Sequence, residues 1–177
     1  MVRFTAIGRA AAALSLALAG AALSGCYASD GLLLDPDQAV HPLADGVYVR
    51  QGDPADRFRL TLQPDGWYAV ERIGAGGVLG ETHRVLAQPS GDGLILAEQE
   101  PDGFLYGLAR IEPGRLYLAA PDCADPLDRD DADDQGARPD DDDLTHHACR
   151  FTTRAALAAA LAAFAGHADF GAGYGKG

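Results

Sequence analysis

The chain has 177 residues, three cysteines and a formal net charge of −12 at pH 7. This length fits one domain, which is large enough to bury a single apolar core. Phosphate backbones repel so acidic a chain, and the charge therefore argues against a nucleic-acid partner.

The first 26 residues have the order of an export signal. Arg3 and Arg9 precede an apolar run over residues 10–22, and the segment ends in Leu23-Ser24-Gly25-Cys26. As a helix the run would span roughly 20 Å, which is short for a bilayer core of about 30 Å. A cationic start, a short apolar stretch and small residues near the end are typical of a cleaved signal peptide.

The residues Leu23-Ser24-Gly25-Cys26 resemble the lipobox of bacterial lipoproteins. The resemblance implies that residues 1–25 are removed as a signal peptide and that Cys26 is lipidated. In this family an Asp after the cysteine often retains the protein in the inner membrane, and here that position is Tyr27. The resemblance therefore implies the inner leaflet of a Gram-negative outer membrane, facing the periplasm. The alternative is an ordinary secretory signal with an incidental cysteine.

Residues 26–42 contain turn-forming prolines, in Asp35-Pro36-Asp37 and His41-Pro42, and one apolar cluster at residues 32–34. This composition predicts a tether between the membrane and the domain.

Residues 43–166 are predicted to form a single β-rich domain that ends in a helix. Charged and apolar side chains alternate in its first part, and turn sequences such as Pro64-Asp65-Gly66 separate the segments. The predicted strands cover residues 47–50, 57–63, 67–73, 82–87, 94–99, 104–111 and 115–120. Since chain neighbours tend to pair, the predicted fold is mainly β: an antiparallel meander or small barrel of six to seven strands with one C-terminal α-helix.

The alternation in residues 45–48 and 60–68 is similar to that of small β-barrel lipoproteins of the NlpE and lipocalin-like type. The cysteine pair that marks the first strand of the NlpE-type domain is absent from this chain. The similarity therefore transfers no functional residue.

Residues 124–148 are rich in aspartate and lie between Cys123 and Cys149. Dense like charge predicts a disordered loop. Because exported proteins meet an oxidising environment, we expect Cys123 and Cys149 to form a disulfide, worth about 3 kcal/mol for a loop of this length. The alternative is that the two cysteines are ligands of a metal site.

The same loop contains a partial EF-hand pattern. The four candidate oxygen ligands, at positions 1, 3, 5 and 12 of the pattern, are Asp131, Asp133, Gln135 and Asp142. The pattern favours Ca²⁺, but Gln135 and Asp142 depart from it and no flanking helices are predicted. The sequence predicts no resident cofactor, and Ca²⁺ binding through this loop is an alternative. A second alternative is a transition-metal site at His146, His147 and Cys149.

After Cys149 the apolar period becomes helical. Thr152 or Thr153 can cap a helix over residues 153–165, whose apolar face contains Leu157, Leu161 and Phe164. The glycine-rich residues 167–177 are predicted to form a flexible tail.

Catalytic patterns are weak in this sequence. The serines after the signal are Ser29 and Ser90, and the chain has no G-x-S-x-G motif. We therefore expect a non-enzymatic accessory or binding protein of the cell envelope, with an envelope protein as a partner. The alternatives are a lipocalin-like carrier of a small apolar ligand and a divalent-cation-binding protein that uses the acidic loop.

Overall fold

The computed structural model describes residues 27–74, 76–139 and 148–177. Within these residues a short 3₁₀ helix spans Pro36–Gln38. The longer helices are α1 (Pro126–Asp134) and α2 (Arg154–Phe164). The strands are β1 (Tyr27–Ser29), β2 (Gly46–Arg50), β3 (Asp53–Leu62), β4 (Tyr68–Gly74), β5 (Gly77–Ser90), β6 (Gly93–Glu100), β7 (Gly103–Glu112), β8 (Arg115–Ala119), β9 (Arg138–Pro139), β10 (Cys149–Arg150) and β11 (Tyr174–Lys176).

Eight of these strands form a closed antiparallel barrel. Strands β2 to β8 pair antiparallel in chain order, each with the strand that follows it. Strand β11 closes the ring, since Gly175 pairs with Val49 of β2 and Tyr174 pairs with Leu116 of β8. The prediction of a mainly β barrel is confirmed, and the number of strands is larger than predicted.

The missing barrel strand comes from the predicted flexible tail, and that part of the prediction is wrong. Glycine allows the tail to lie close to the barrel wall, because a Cβ atom at Gly173 would stand 2.8 Å from the Tyr117 ring. Tyr174 then packs on Phe58, with 5.2 Å between ring centroids, and its hydroxyl donates to Asp56 at 2.9 Å. The high glycine content therefore permits close packing here.

The apolar side chains form two cores. One core fills the barrel interior, and its buried members are Tyr48, Phe58, Leu60, Tyr68, Ala87, Leu96, Ala109 and Leu116. The other lies between the outer face of β5–β8 and the layer formed by β1, α1 and α2. Strands β5 to β7 therefore bury side chains on both faces, which explains their nearly continuous apolar sequences.

The predicted tether over residues 26–42 is also wrong, because its described part packs on the barrel. Strand β1 pairs with β7 and, in parallel, with β10. Leu34 is buried in the outer core. The backbone amide of Leu33 donates to the Tyr106 hydroxyl at 2.9 Å, and that of Val40 donates to the Ala87 carbonyl at 2.9 Å. The apolar cluster of residues 32–34 therefore outweighs the turn-forming prolines near it.

The acidic segment 124–148 was predicted as a disordered loop, yet it contains α1 and β9. The side chain of Asp125 accepts a hydrogen bond from the Leu127 amide at 2.9 Å, and Pro126 occupies the first helical position. Both features favour a helix start, and an acidic first turn complements the helix dipole. Ala132 is fully buried in the outer core. Residues 140–147 lie outside the described part of the chain.

Helix α2 has the predicted position and face. The Thr153 hydroxyl accepts from the Ala156 amide at 3.2 Å and caps the helix. Leu157, Leu161 and Phe164 are buried, as their spacing predicts. The helix covers the outside of the barrel, opposite the interior core.

Candidate functional site

Two regions of the structure bear on function: the start of β1, which follows Cys26 directly, and a group of polar side chains at one end of the barrel. The first concerns how the chain could be anchored. The second was not predicted from the sequence.

Strand β1 is buried from its first residue. Tyr27 is 0 % exposed, and its ring packs against Phe151 and Phe164 at centroid distances of 5.1 and 6.4 Å. Its hydroxyl donates to the backbone carbonyl of Asp128 at 2.6 Å. Burial, reinforced by the nearby carboxylates of α1, raises the pKa of the Tyr27 phenol far above its usual value. Tyr27 therefore links the start of the described chain to both helices.

The polar groups of β1 are satisfied within the protein. The hydroxyls of Ser29 and Tyr106 are hydrogen bonded at 2.7 Å, and the Phe151 amide donates to the Ala28 carbonyl at 2.8 Å. Ser29 is 2 % exposed. This serine, one of two in the described residues, is buried and hydrogen bonded away from solvent.

A disulfide joins Cys123 and Cys149, as predicted, with 6.1 Å between their Cα atoms. Cys149 pairs with Tyr27 in the sheet, so the disulfide lies beside β1. The disulfide joins the segment that follows β8 to strand β10, at the base of the acidic segment. Of the alternative metal site at His146, His147 and Cys149, both histidines lie outside the described residues.

The structure places the EF-hand-like candidates on a helix. Asp131 and Asp133 belong to α1, and Gln135 is its C-terminal cap. Side chains two positions apart on a helix do not face each other, so Asp131 and Asp133 do not converge on one point. Asp131 instead contacts His167 at 2.9 Å. The fourth candidate, Asp142, lies outside the described residues.

A different group of ligating side chains meets at one end of the barrel. His83 lies on β5, and Glu98 and Glu100 lie on β6. The Nδ1 atom of His83 is 2.6 Å from Oε1 of Glu98 and 3.8 Å from Oε1 of Glu100. One ligand atom from each residue lies within 4.8 Å of the others. We call these three residues the barrel-mouth triad.

Strand alternation explains why the triad points inward. Residues two apart on a strand share a face, and Leu96 of β6 belongs to the interior core, so Glu98 and Glu100 continue that face. Ala87 places His83 on the interior face of β5 in the same way. Leu94, Leu96 and Glu98 thus form a run of inward positions in which the last is charged. Glu98 directly follows the apolar run of residues 94–97, and this is the one local sequence signal at the position.

Glu98 is a buried acid. It is 5 % exposed, whereas the His83 side chain is 46 % exposed and reaches solvent. Burial, together with the nearby Glu100 carboxylate, raises the pKa of Glu98 from 4.5 to about 7, although the contact with His83 opposes the shift. The triad therefore contains a carboxyl group whose charge is poorly compensated and a histidine that solvent can reach.

The aromatic side chains of the strands are divided between the two cores. Tyr48 stacks on Phe58 inside the barrel, with 5.5 Å between centroids and 10° between planes. Tyr106, by contrast, belongs to the outer core. Those that point inward pack against other side chains of the interior core.

No protein-family model, curated protein or solved structure matches this chain. Among the residues that the structure describes, no helix is both long and apolar enough to cross a membrane.

Proposed function

We propose that this protein is a lipid-anchored, non-enzymatic binding or accessory protein of the bacterial cell envelope. The observation that supports the proposal is the order of features at the start of the chain. The lipobox-like residues end at Cys26, and the next residue, Tyr27, is the fully buried start of β1. The first residue after the proposed lipidation site is therefore already packed in the outer core.

This arrangement has a consequence for how the barrel meets the membrane. Consecutive Cα atoms are about 3.8 Å apart, so acyl chains on Cys26 would start one residue from the barrel wall. A tether of some 16 residues would allow the domain to move away from the bilayer, but residues 27–40 are held on the barrel by β1 pairing and by the hydrogen bonds of Leu33 and Val40. In the proposed function the barrel is held directly at the membrane surface.

The surroundings of Ser29 and His41 favour binding over catalysis. The Ser29 hydroxyl is buried against Tyr106, and His41 contacts the Gly66 carbonyl at 3.0 Å. Nucleophilic catalysis needs a serine whose base is positioned by a third group. Neither residue has those neighbours among the contacts described above, and this supports the non-enzymatic part of the proposal.

Metabolic labelling tests the anchor. The full chain is expressed in a Gram-negative bacterium with a labelled fatty acid, next to the variants Cys26→Ser and Ser24→Ala. We expect wild type and Ser24→Ala, which keeps a small residue before the cysteine, to carry label and to sediment with membranes. Cys26→Ser should carry none. Equal labelling of Cys26→Ser and wild type would contradict the proposal.

A second experiment tests the direct contact with the bilayer. Trp67 is the single tryptophan of the chain and serves as the donor for energy transfer to a dansyl-labelled headgroup lipid. A flexible linker of about 20 residues inserted between Cys26 and Tyr27 adds an average reach of about 25 Å. We expect transfer to fall in the linker variant. Equal transfer in both proteins would show that a mobile segment already separates the barrel from the lipid.

A further inference from the structure

We propose that the barrel-mouth triad of His83, Glu98 and Glu100 binds a divalent first-row transition-metal ion of the Zn²⁺ type. This site is independent of the lipid anchor, and none of its three residues belongs to the metal sites that the sequence pattern predicts. The triad supplies one imidazole nitrogen and two carboxylate oxygens, which is a ligand set suited to such an ion.

The distances require only small side-chain movements. An ion about 2.0–2.2 Å from each of three ligands in tetrahedral geometry places those ligands about 3.3–3.6 Å apart. In the structure the two separations measured from Nδ1 of His83, 2.6 and 3.8 Å, lie on either side of that value. Metal entry would replace the hydrogen bond between His83 and Glu98, and rotation of Glu100 would bring it closer.

The charges also favour a cation. With a neutral imidazole, the triad carries up to two negative charges at a position where Glu98 is 5 % exposed. A buried carboxylate is unfavourable unless a partner compensates its charge. A divalent ion would compensate both carboxylates at once, which a single His83 proton cannot do.

The position of the triad supplies both access and rigidity. His83 is 46 % exposed, so an ion can reach the site from solvent. The three residues lie on adjacent strands, where Val85 pairs with Glu98 and Arg84 pairs with Gln99. Ligands on paired strands are held more firmly than ligands on a loop. Three protein ligands also leave a coordination position for water or another small ligand.

The imidazole discriminates between classes of ion. Ca²⁺ takes six to eight oxygen ligands, and Mg²⁺ keeps several waters around an octahedral oxygen set. The triad offers two carboxylates and a nitrogen, so these hard ions should bind far more weakly than Zn²⁺. This preference separates the triad from the alternative of Ca²⁺ binding by the acidic segment, whose candidate ligands are all oxygen atoms.

Calorimetric titration tests the proposal. The full-length protein is purified, stripped with a chelator and titrated with ZnCl₂ alone, and the same titration is made with CaCl₂. The test variants are Glu98→Gln and His83→Gln, which keep side-chain volume. Glu112→Gln, an exposed residue of β7, is the control for loss of one charge. Asp131→Asn with Asp133→Asn tests the acidic segment. A thermal melt of every variant establishes that it is folded.

We expect one Zn²⁺ ion per chain in wild type, the control and the Asp variant, and at least a tenfold weaker Kd in Glu98→Gln and His83→Gln. The absence of a Zn²⁺ site in wild type would overturn the proposal. So would binding that survives in both test variants, or that is lost only in the Asp variant.

Titration with CoCl₂ gives a second readout that depends on the ligands themselves. Co²⁺ in a site of low coordination number absorbs visible light more strongly than the hydrated ion. We expect this absorption in wild type and its loss in folded His83→Gln. An unchanged spectrum in that variant would overturn the assignment of His83 as a ligand, even if calorimetry detects binding.

Discussion

Replacing Glu98 with glutamine removes a buried ionisable group without changing its size. The acid is 5 % exposed, and its pKa is raised from 4.5 to about 7, mainly by burial. The folded state therefore holds a proton that the unfolded chain releases at lower pH. Glu98 therefore makes the free energy of unfolding of the wild type depend on pH, and the Glu98→Gln variant lacks this contribution.

The direction and size of the effect follow from the two pKa values. Below pH 4.5 both states hold the proton, and the stability associated with Glu98 is fully present. Between pH 4.5 and about 7 only the folded state holds it, so stability falls as pH rises, and above that range the loss is complete. At about 1.4 kcal/mol per tenfold change in proton affinity, the loss is about 3 kcal/mol.

Urea unfolding at pH 4 and at pH 8, in a chelator to keep the protein free of metal, measures this difference. We expect the stability of Glu98→Gln relative to wild type to be higher at pH 8 than at pH 4 by about 3 kcal/mol. Other titrating groups occur in both proteins and largely cancel in the comparison. Glu112→Gln serves as the matched control. Parallel stability curves for wild type and Glu98→Gln would refute the account of Glu98 as a buried acid.

The remaining predictions concern the N-terminal strand and the disulfide. Gly103→Ala should loosen β1, because a Cβ atom at Gly103 would overlap the Ser29 carbonyl oxygen. Gly91 also has a positive φ but lies in open space, so Gly91→Ala is the control. Faster amide exchange of β1 in Gly103→Ala alone would support the contact. Tyr27→Phe removes the hydrogen bond to α1 and should lower the free energy of unfolding by about 1–2 kcal/mol in urea titration, whereas no change would show that the bond contributes nothing. Replacing Cys123 and Cys149 with serine should lower the free energy of unfolding by about 2–5 kcal/mol. Wild type in reductant should be as stable as that variant.

Much of the barrel was predictable because its strands follow local rules. Turns such as Pro64-Asp65-Gly66 separate alternating segments, and antiparallel pairing of chain neighbours follows from them. Helix α2 was predictable for the same reason, since Thr153 and the spacing of Leu157, Leu161 and Phe164 are local signals.

The predictions that failed concern segments whose structure depends on distant contacts. Residues 27–34 are ordered by β7 and Tyr106, and the tail is ordered by insertion between β2 and β8. Composition alone predicted a tether for the first segment and a flexible tail for the second. Helix α1 has local start signals in Asp125 and Pro126, but dense aspartate favours a disordered loop, and the helix depends on the burial of Ala132 in the outer core.

The barrel-mouth triad was missed for a related reason. His83 and Glu98 are 15 positions apart, and only the register between β5 and β6 brings them to 2.6 Å. A single acid at an inward strand position signals burial, but it does not identify its partner.

The central claim is that Cys26, the residue before the buried Tyr27, carries the lipid anchor. Intact-mass measurement of the protein extracted from membranes, followed by sequencing of its N-terminal peptide, tests that claim most directly. We predict a chain that begins at Cys26 and carries the added mass of two or three acyl chains with a glycerol unit. An unmodified Cys26, or an N-terminus at any other residue, would contradict the account.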